Sequence, residues 1–265
     1  MKKRSLVMIL SALAVLGTCL MLTGCRSRET TRVAVSAPAS EAPMGPRKIL
    51  NWNGCRYAFL KNGSTYTLDV QDQGKKLGVL DRSILESPEE NGEKDLAATF
   101  CLGGTVWEMK LWNPAFRVAV ELDGSWYICE NVDTLDGTPV IPKDYFAAAD
   151  FENTVEAVEI LDHMEQEVFL TLTQLQRNNM IELLSQAQPV SLTNEDYGPI
   201  GKAQREGESF RIRFQLRDGT DFGMYVIPGL DLLMLGDNQY RLPEAFAHCF
   251  QELFDTLPRQ PLPMM

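Results

Sequence analysis

The chain has 265 residues, 45% of them hydrophobic and 23% charged, with a formal net charge of −11 and two histidines. Residues 1–24 hold three of the 25 cationic residues and none of the 36 acidic ones, so the remainder carries 22 against 36, a net charge of −14. That balance argues against a nucleic-acid partner, whose phosphates need a cationic surface. It argues equally against a body lying flat on anionic lipid.

Lys2, Lys3 and Arg4 precede Leu6–Leu22, a run without a charged residue. This is the basic-then-apolar layout of an export signal. A run of this length also admits a plain signal anchor, and its end separates the two readings. It closes in Leu22-Thr23-Gly24-Cys25, a branched apolar residue, two small residues and a cysteine, which resembles the lipobox of bacterial lipoproteins. The resemblance is confined to this segment, and no family is recognised for residues 47–265. It implies that residues 1–24 are a signal peptide cleaved behind Gly24. It also implies that Cys25 takes a diacylglyceryl thioether and anchors the chain to membrane lipid, since two acyl chains suffice for stable attachment. The implied location is the cell membrane, lipid-anchored on the extracytoplasmic side.

Residues 25–46 then read as the lipidated cysteine and a flexible tether. Arg26–Pro46 is rich in Ser, Thr, Ala and Pro and has no apolar periodicity. Such a segment reaches roughly 25 Å as a coil and up to about 70 Å when stretched.

Residues 47–142 read as a small antiparallel β domain, barrel- or sandwich-like. GCRYAF, TYTLDV and KLGVLD supply short strands, and VWEMKLW alternates Trp107, Met109 and Leu111 against Glu108 and Lys110. FRVAVELDGSWYICE is a hairpin about Asp123-Gly124. A two-residue turn would put Tyr127 and Cys129 on the face of Val118 and Val120. A three-residue loop with Gly124 left-handed puts Trp126 and Ile128 there and gathers more apolar area, so that register is expected, with Arg117 and Glu121 outside.

Residues 143–265 read as an acidic α+β domain, two helices on an antiparallel sheet, following a loop with Gly137, Pro139 and Pro142. VEAVEIL and VFLTL are strands. Thr173 and Gln176 form a capping box ahead of a helix whose stripe is Met180, Ile181, Leu183, Leu184 and Ala187. FRIRFQLRDGTDFGMYVIP is a second hairpin, looped at Arg217-Asp218-Gly219, with Phe210, Ile212 and Phe214 facing Val226, Met224 and Phe222. A last helix starts at Pro243 and carries Phe246, Cys249, Phe250, Leu253 and Leu257 at helical spacing.

The chain carries no G-x-S-x-G, H-E-x-x-H or glycine-rich phosphate loop, so no catalytic residue, cofactor or metal ligand is assigned. The acidic run from Asp144 to Glu167 reads as a solvated face. His248 falls on the outer face of the last helix and His163 in a turn. Cys249 is expected as a free, buried thiol. Cys55, Cys101 and Cys129 remain, with Cys101–Cys129 the preferred disulfide. All four tryptophans (Trp52, Trp107, Trp112 and Trp126) precede residue 143. Trp107 shares its face with Met109 and is assigned to the core. Trp112, at the LWNPAF corner, is expected at the surface as a platform for a sugar ring or an extended peptide.

The resulting expectation is a binding or scaffolding module of the cell envelope, whose partner is an envelope protein or cell-wall glycan. The alternative is a carboxylate-dependent cell-wall glycan hydrolase, which needs a cleft holding two carboxylates.

Overall fold

The computed structural model describes residues 46–261; the segment read as a lipobox, Cys25, and the residues read as a tether up to residue 45 lie outside them. Two antiparallel-rich sheets and six helices make up this β-rich α+β fold among the described residues.

The first sheet has eight strands: β1 (Ile49–Trp52), β2 (Cys55–Phe59), β3 (Gln73–Val79), β4 (Arg82–Ser83), β5 (Ala97–Ala98), β6 (Thr105–Met109), β7 (Arg117–Leu122) and β8 (Ser125–Thr134). Their order is β3-β6-β7-β8-β2-β1-β5-β4, and only the short β4–β5 pair is parallel. A one-turn helix, α1 (Pro88–Asn91), lies between β4 and β5. One face of the sheet covers a small core that joins Leu50, Tyr57, Phe59, Val106, Val118 and Val120. The opposite face is covered as well: Met109, Ala119 and Ile128 belong to the large cluster that runs into the second sheet.

That double burial decides the first hairpin. Val118 pairs with Cys129, Val120 with Tyr127 and Leu122 with Ser125. Asp123 and Gly124 both have positive φ, 51° and 78°, as a two-residue type I′ turn requires. The three-residue register expected from the sequence is therefore not formed. Gathering apolar area on one face favours a register only where the other face is wet. Because both faces are packed, apolar area does not choose between registers, and the Asp-Gly turn does. TYTLDV is likewise no strand of the sheet; Tyr66 makes a single bridge to Trp126.

Two short helices follow, α2 (Pro142–Ala148) and α3 (Phe151–Thr154). Pro142 reads as a loop breaker in the sequence, yet a helix begins there, because its fixed φ and missing N–H suit a first helical position. The second sheet comprises β9 (Val155–Asp162), β10 (Val168–Thr171), β11 (Gln188–Pro189), β12 (Phe210–Leu216), β13 (Asp221–Ile227), β14 (Leu232–Leu235) and β15 (Asn238–Arg241), in the order β10-β9-β12-β13-β14-β15-β11. The β12–β13 register is the expected one, Ile212 opposite Met224 and Phe214 opposite Phe222.

Helix α4 (Gln174–Ser185) opens with the expected capping box of Thr173 and Gln176 and buries Met180, Ile181, Leu183 and Leu184. Helix α5 (Tyr197–Arg205), with Gly198, Pro199 and Gly201, is one the sequence pattern does not announce. Helix α6 (Glu244–Thr256) buries Phe246, Phe250 and Phe254. These three lie four residues apart and set the buried direction, so Cys249, one position before Phe250, is exposed rather than buried as expected.

Cys55, Cys101, Cys129 and Cys249 are all free thiols, so the expected Cys101–Cys129 bond is not formed. Cys101 and Cys129 instead pack as small apolar side chains in the core of the first sheet. Among the described residues no helix is long and apolar enough to cross a membrane.

Candidate functional site

The corner expected to present Trp112 folds inward. Asn113 closes a local turn, its Oδ1 accepting from Ala115 N at 2.9 Å and its carbonyl from Phe116 N at 2.8 Å. Tyr57 Oη and Asn131 Nδ2 then tie down the carbonyls of Pro114 and Ala115, at 2.8 and 2.9 Å. Trp112 is only 3% exposed, and its Nε1–H donates to Asp218 Oδ2 at 2.9 Å. The surface platform assigned to Trp112 is thus corrected: the indole is a core side chain with a buried partner. Trp107 is the more accessible of the two, half-buried against Trp126.

Beside Trp112 lies Arg117, expected outside and found with no exposure at all. It starts β7, directly opposite Glu130 on β8. Its Nε and Nη2 donate to Glu130 Oε2 at 3.1 and 2.6 Å, Nη1 to Thr220 Oγ1 at 2.5 Å, and Nη2 also to the Asp221 carbonyl at 3.0 Å. Asp218 Oδ2 sits 3.7 Å from Nη1. Asp218 in turn accepts from Thr220 N and Thr220 Oγ1 through Oδ1, at 2.9 and 2.6 Å. The guanidinium also lies over Phe116, 4.7 Å from the ring centre. One arginine of the first sheet is therefore held by the hairpin turn of the second. Its two carboxylates keep it charged despite complete burial, whereas burial raises the Glu130 carboxyl above its usual range against the pull of Arg117.

Glu130 reaches from this buried network into a cleft of about 560 Å³ between the sheets. The floor is the polar face of β12 and β13. Arg211 stands opposite Tyr225 there, and Arg213 opposite Gly223. Arg213 Nη2 bonds Glu159 Oε2 at 2.5 Å, and Arg211 Nε lies 3.1 Å from Glu165 Oε2. Glu165 Oε1 accepts from Tyr225 Oη at 3.1 Å. Gly223 leaves the room that the Arg211 side chain occupies, since a Cβ there would stand 2.4 Å from its Nη2. The guanidinium rests over the Tyr225 ring, 5.2 Å from its centre.

The facing wall brings Lys61, Tyr66 and Asn131, and Arg47 stands at the rim. Lys61 Nζ is 4.0 Å from Asp221 Oδ2, and Arg47 Nη1 is 3.5 Å from Asp237 Oδ2. Both pairs are exposed, where such pairs contribute little.

His163 packs against Tyr225, the two rings 4.8 Å apart, and is not one of the residues lining the cleft. Its Nδ1 is 2.9 Å from Ser209 Oγ. Ser209 is 1% exposed, so its hydroxyl is out of reach of a substrate and the pair does not make a nucleophile. Burial holds the His163 pKa below its usual value. His248 is exposed on α6 beside Glu244, on the outer face as expected. Among the described residues no group of three or more His, Cys, Asp or Glu is placed to hold a metal ion.

The cleft residues are absent from the sequence-level candidates. The available signal was the alternation in FRIRF, which puts Arg211 and Arg213 together on the face opposite Phe210, Ile212 and Phe214. Compared with known proteins, the chain matches no family model, no curated protein and no solved structure.

Proposed function

We propose that the chain is a lipoprotein anchored through Cys25 on the extracytoplasmic side of the cell membrane, where it acts as a binding module of the envelope. The inter-sheet cleft, in place of Trp112, is its binding surface. The observation that carries this reading is the cleft itself: a cavity of about 560 Å³ whose polar side chains converge from both sheets. The volume is that of a small-ligand site, and the lining is charged where most such sites are apolar. The Leu22-Thr23-Gly24-Cys25 sequence supports the anchor, and a tether rich in Ser, Ala and Pro would let the acidic body stand off the lipid surface.

The hydrolase alternative draws on the same cleft, because Glu130, Glu165 and Asp221 all line it. Each, however, is engaged by a cation: Glu130 by Arg117, Glu165 by Arg211 and Asp221 by Lys61. A glycosidase needs one carboxyl protonated and free to donate to the leaving oxygen. Paired carboxylates fit binding better than acid catalysis.

Two measurements test the reading. Cys25→Ser should abolish incorporation of labelled fatty acid and leave an unprocessed precursor; equal labelling of mutant and wild type removes the anchor. A digest of purified cell wall should bind the protein without the appearance of new reducing ends. Release of reducing ends that stops in Glu130→Gln would establish the hydrolase instead.

A further inference from the structure

The cleft is built from charges of both signs, and the network beneath it is not neutral. Arg117 is one cation between two buried carboxylates, Glu130 and Asp218. Both of its bonds to Glu130 end on Oε2, which leaves Oε1 as the oxygen available to the cleft. A buried cluster carrying a net negative charge, with one carboxylate oxygen at its open side, attracts a cation.

Across the cleft the opposite polarity is held in place. Arg211 lies over the Tyr225 ring, in the space that the absent Gly223 side chain leaves. The partner of Arg211, Glu165, is 41% exposed and sits at a left-handed backbone position in the turn after β9, φ 61°. Glu165 is the more exposed member of the pair, and a ligand carboxylate that takes its place keeps the charge-assisted bond to the guanidinium.

Ligand classes differ in what they can satisfy. A polyanion approaches against the field of a body, residues 47–265, carrying net charge −15. A neutral sugar answers neither charge. A simple monoanion displaces Glu165 and leaves the negative cluster at Glu130 unanswered. A ligand with an ammonium at one end and a carboxylate at the other answers both and adds no net charge.

Resting on the reading of the cleft as the binding site, we propose that it takes a short peptide with free ends, the ammonium on Glu130 Oε1 and the carboxylate on Arg211. The recognised part of an envelope ligand is then peptide and not glycan.

The test is titration calorimetry on the detergent-solubilised full chain with four probes: trialanine, N-acetyl-trialanine, trialanine amide and chitotetraose. Trialanine should bind, and blocking either end should weaken binding tenfold or more. Arg211→Met should weaken trialanine but leave the affinity for the amide unchanged, since the amide has no carboxylate to lose. Glu130→Gln should weaken trialanine but not the acetylated peptide. Arg211 is at the surface of the cleft, so its variant keeps the test valid if Glu130→Gln folds poorly. Arg205→Ala, on α5 away from the cleft, serves as the control.

Absence of trialanine binding, or equal affinities for free and blocked peptides, overturns the inference. Chitotetraose binding that Arg211→Met abolishes would overturn the peptide and keep the cleft as the site. If neither these probes nor a cell-wall digest bind, both readings fall.

Discussion

Replacing Arg117 by methionine removes the single cation between Glu130 and Asp218 while preserving most of the side-chain volume. Five polar contacts converge on that guanidinium, from Glu130 twice, Thr220, the Asp221 carbonyl and Asp218. Breaking a buried pair by removing one partner typically costs about 3–5 kcal/mol, because the remaining charge stays buried without compensation. At about 2–4 °C per kcal/mol for a body of this size, the melting point should fall by about 6–20 °C.

The deficit should also depend on pH. Burial already raises the Glu130 carboxyl, and Arg117 opposes that push. In the variant the opposition is gone, so the folded-state pKa rises further above the unfolded value of about 4.3. A raised carboxyl contributes stability below its unfolded pKa and loses it as pH climbs through the folded pKa. Arg117→Met should therefore be closest to wild type near pH 4 and furthest from it at pH 7. Thermal unfolding by circular dichroism across that range measures both effects. A deficit under about 1 kcal/mol at pH 7 would contradict the reasoning, since it lies below the cost of stranding even one buried hydrogen-bonding group. So would a deficit that does not vary with pH.

Trp112→Phe should destabilise by about 1–3 kcal/mol, because Asp218 loses its Nε1–H donor in a buried site. Trp107→Phe should cost less or stabilise, since Trp107 Nε1 is buried without a hydrogen-bond partner; urea unfolding of the two variants gives the comparison, and a larger loss for Trp107→Phe would reverse the assignment. Gly223→Ala should leave the melting point nearly unchanged, the obstructed atoms being the end of the Arg211 side chain, but should weaken trialanine binding by displacing that guanidinium. Native-state labelling with a thiol reagent should modify Cys249 at once and spare Cys101 and Cys129, whose thiols burial pushes up, to about 12 for Cys101; equal rates would show that the core of the first sheet opens.

Local signals in the sequence carried the elements whose chemistry is self-contained. The Thr173–Gln176 box places a helix start because both of its hydrogen bonds are made within one turn. The Phe210–Val226 hairpin keeps its expected register because one face alone is apolar, and a one-residue slip would expose three aromatic or aliphatic pairs. The Phe116–Glu130 hairpin lacks that asymmetry: β7 is buried on both faces, and the side facing the second sheet holds Arg117 beside Ala119. An arginine in an alternating strand reads as a wet residue unless its partners are visible. Those of Arg117 that come from the second sheet, Asp218, Thr220 and Asp221, lie about a hundred residues further along the chain. The same separation hid Trp112, whose neighbouring proline and asparagine mark a turn but not the side on which the indole ends.

The distance that concealed Arg117 is also what gives it a place in the cleft. Glu130 projects from a strand of the first sheet, and Arg211 and Tyr225 from strands of the second, so the spacing across the cavity depends on how the sheets are held together. Apolar contacts between Phe116 and Phe222 supply attraction but little direction. Arg117 supplies direction: it bonds Glu130 on one side and the 218–221 turn on the other, and Asp221 in that turn also lines the cleft. A charged bridge at this point costs desolvation that a methionine would not, and a buried ion pair is poor evidence of a gain in stability. What it specifies is position. If that is its role, Arg117→Met combined with Glu130→Gln and Asp218→Asn should recover most of the lost melting temperature, because no carboxylate is left stranded. The same triple variant should bind trialanine more weakly than Glu130→Gln alone, which already lacks the partner of the ammonium. Restored stability together with an affinity equal to that of Glu130→Gln alone would show that the bridge holds the fold and leaves the cleft to other contacts.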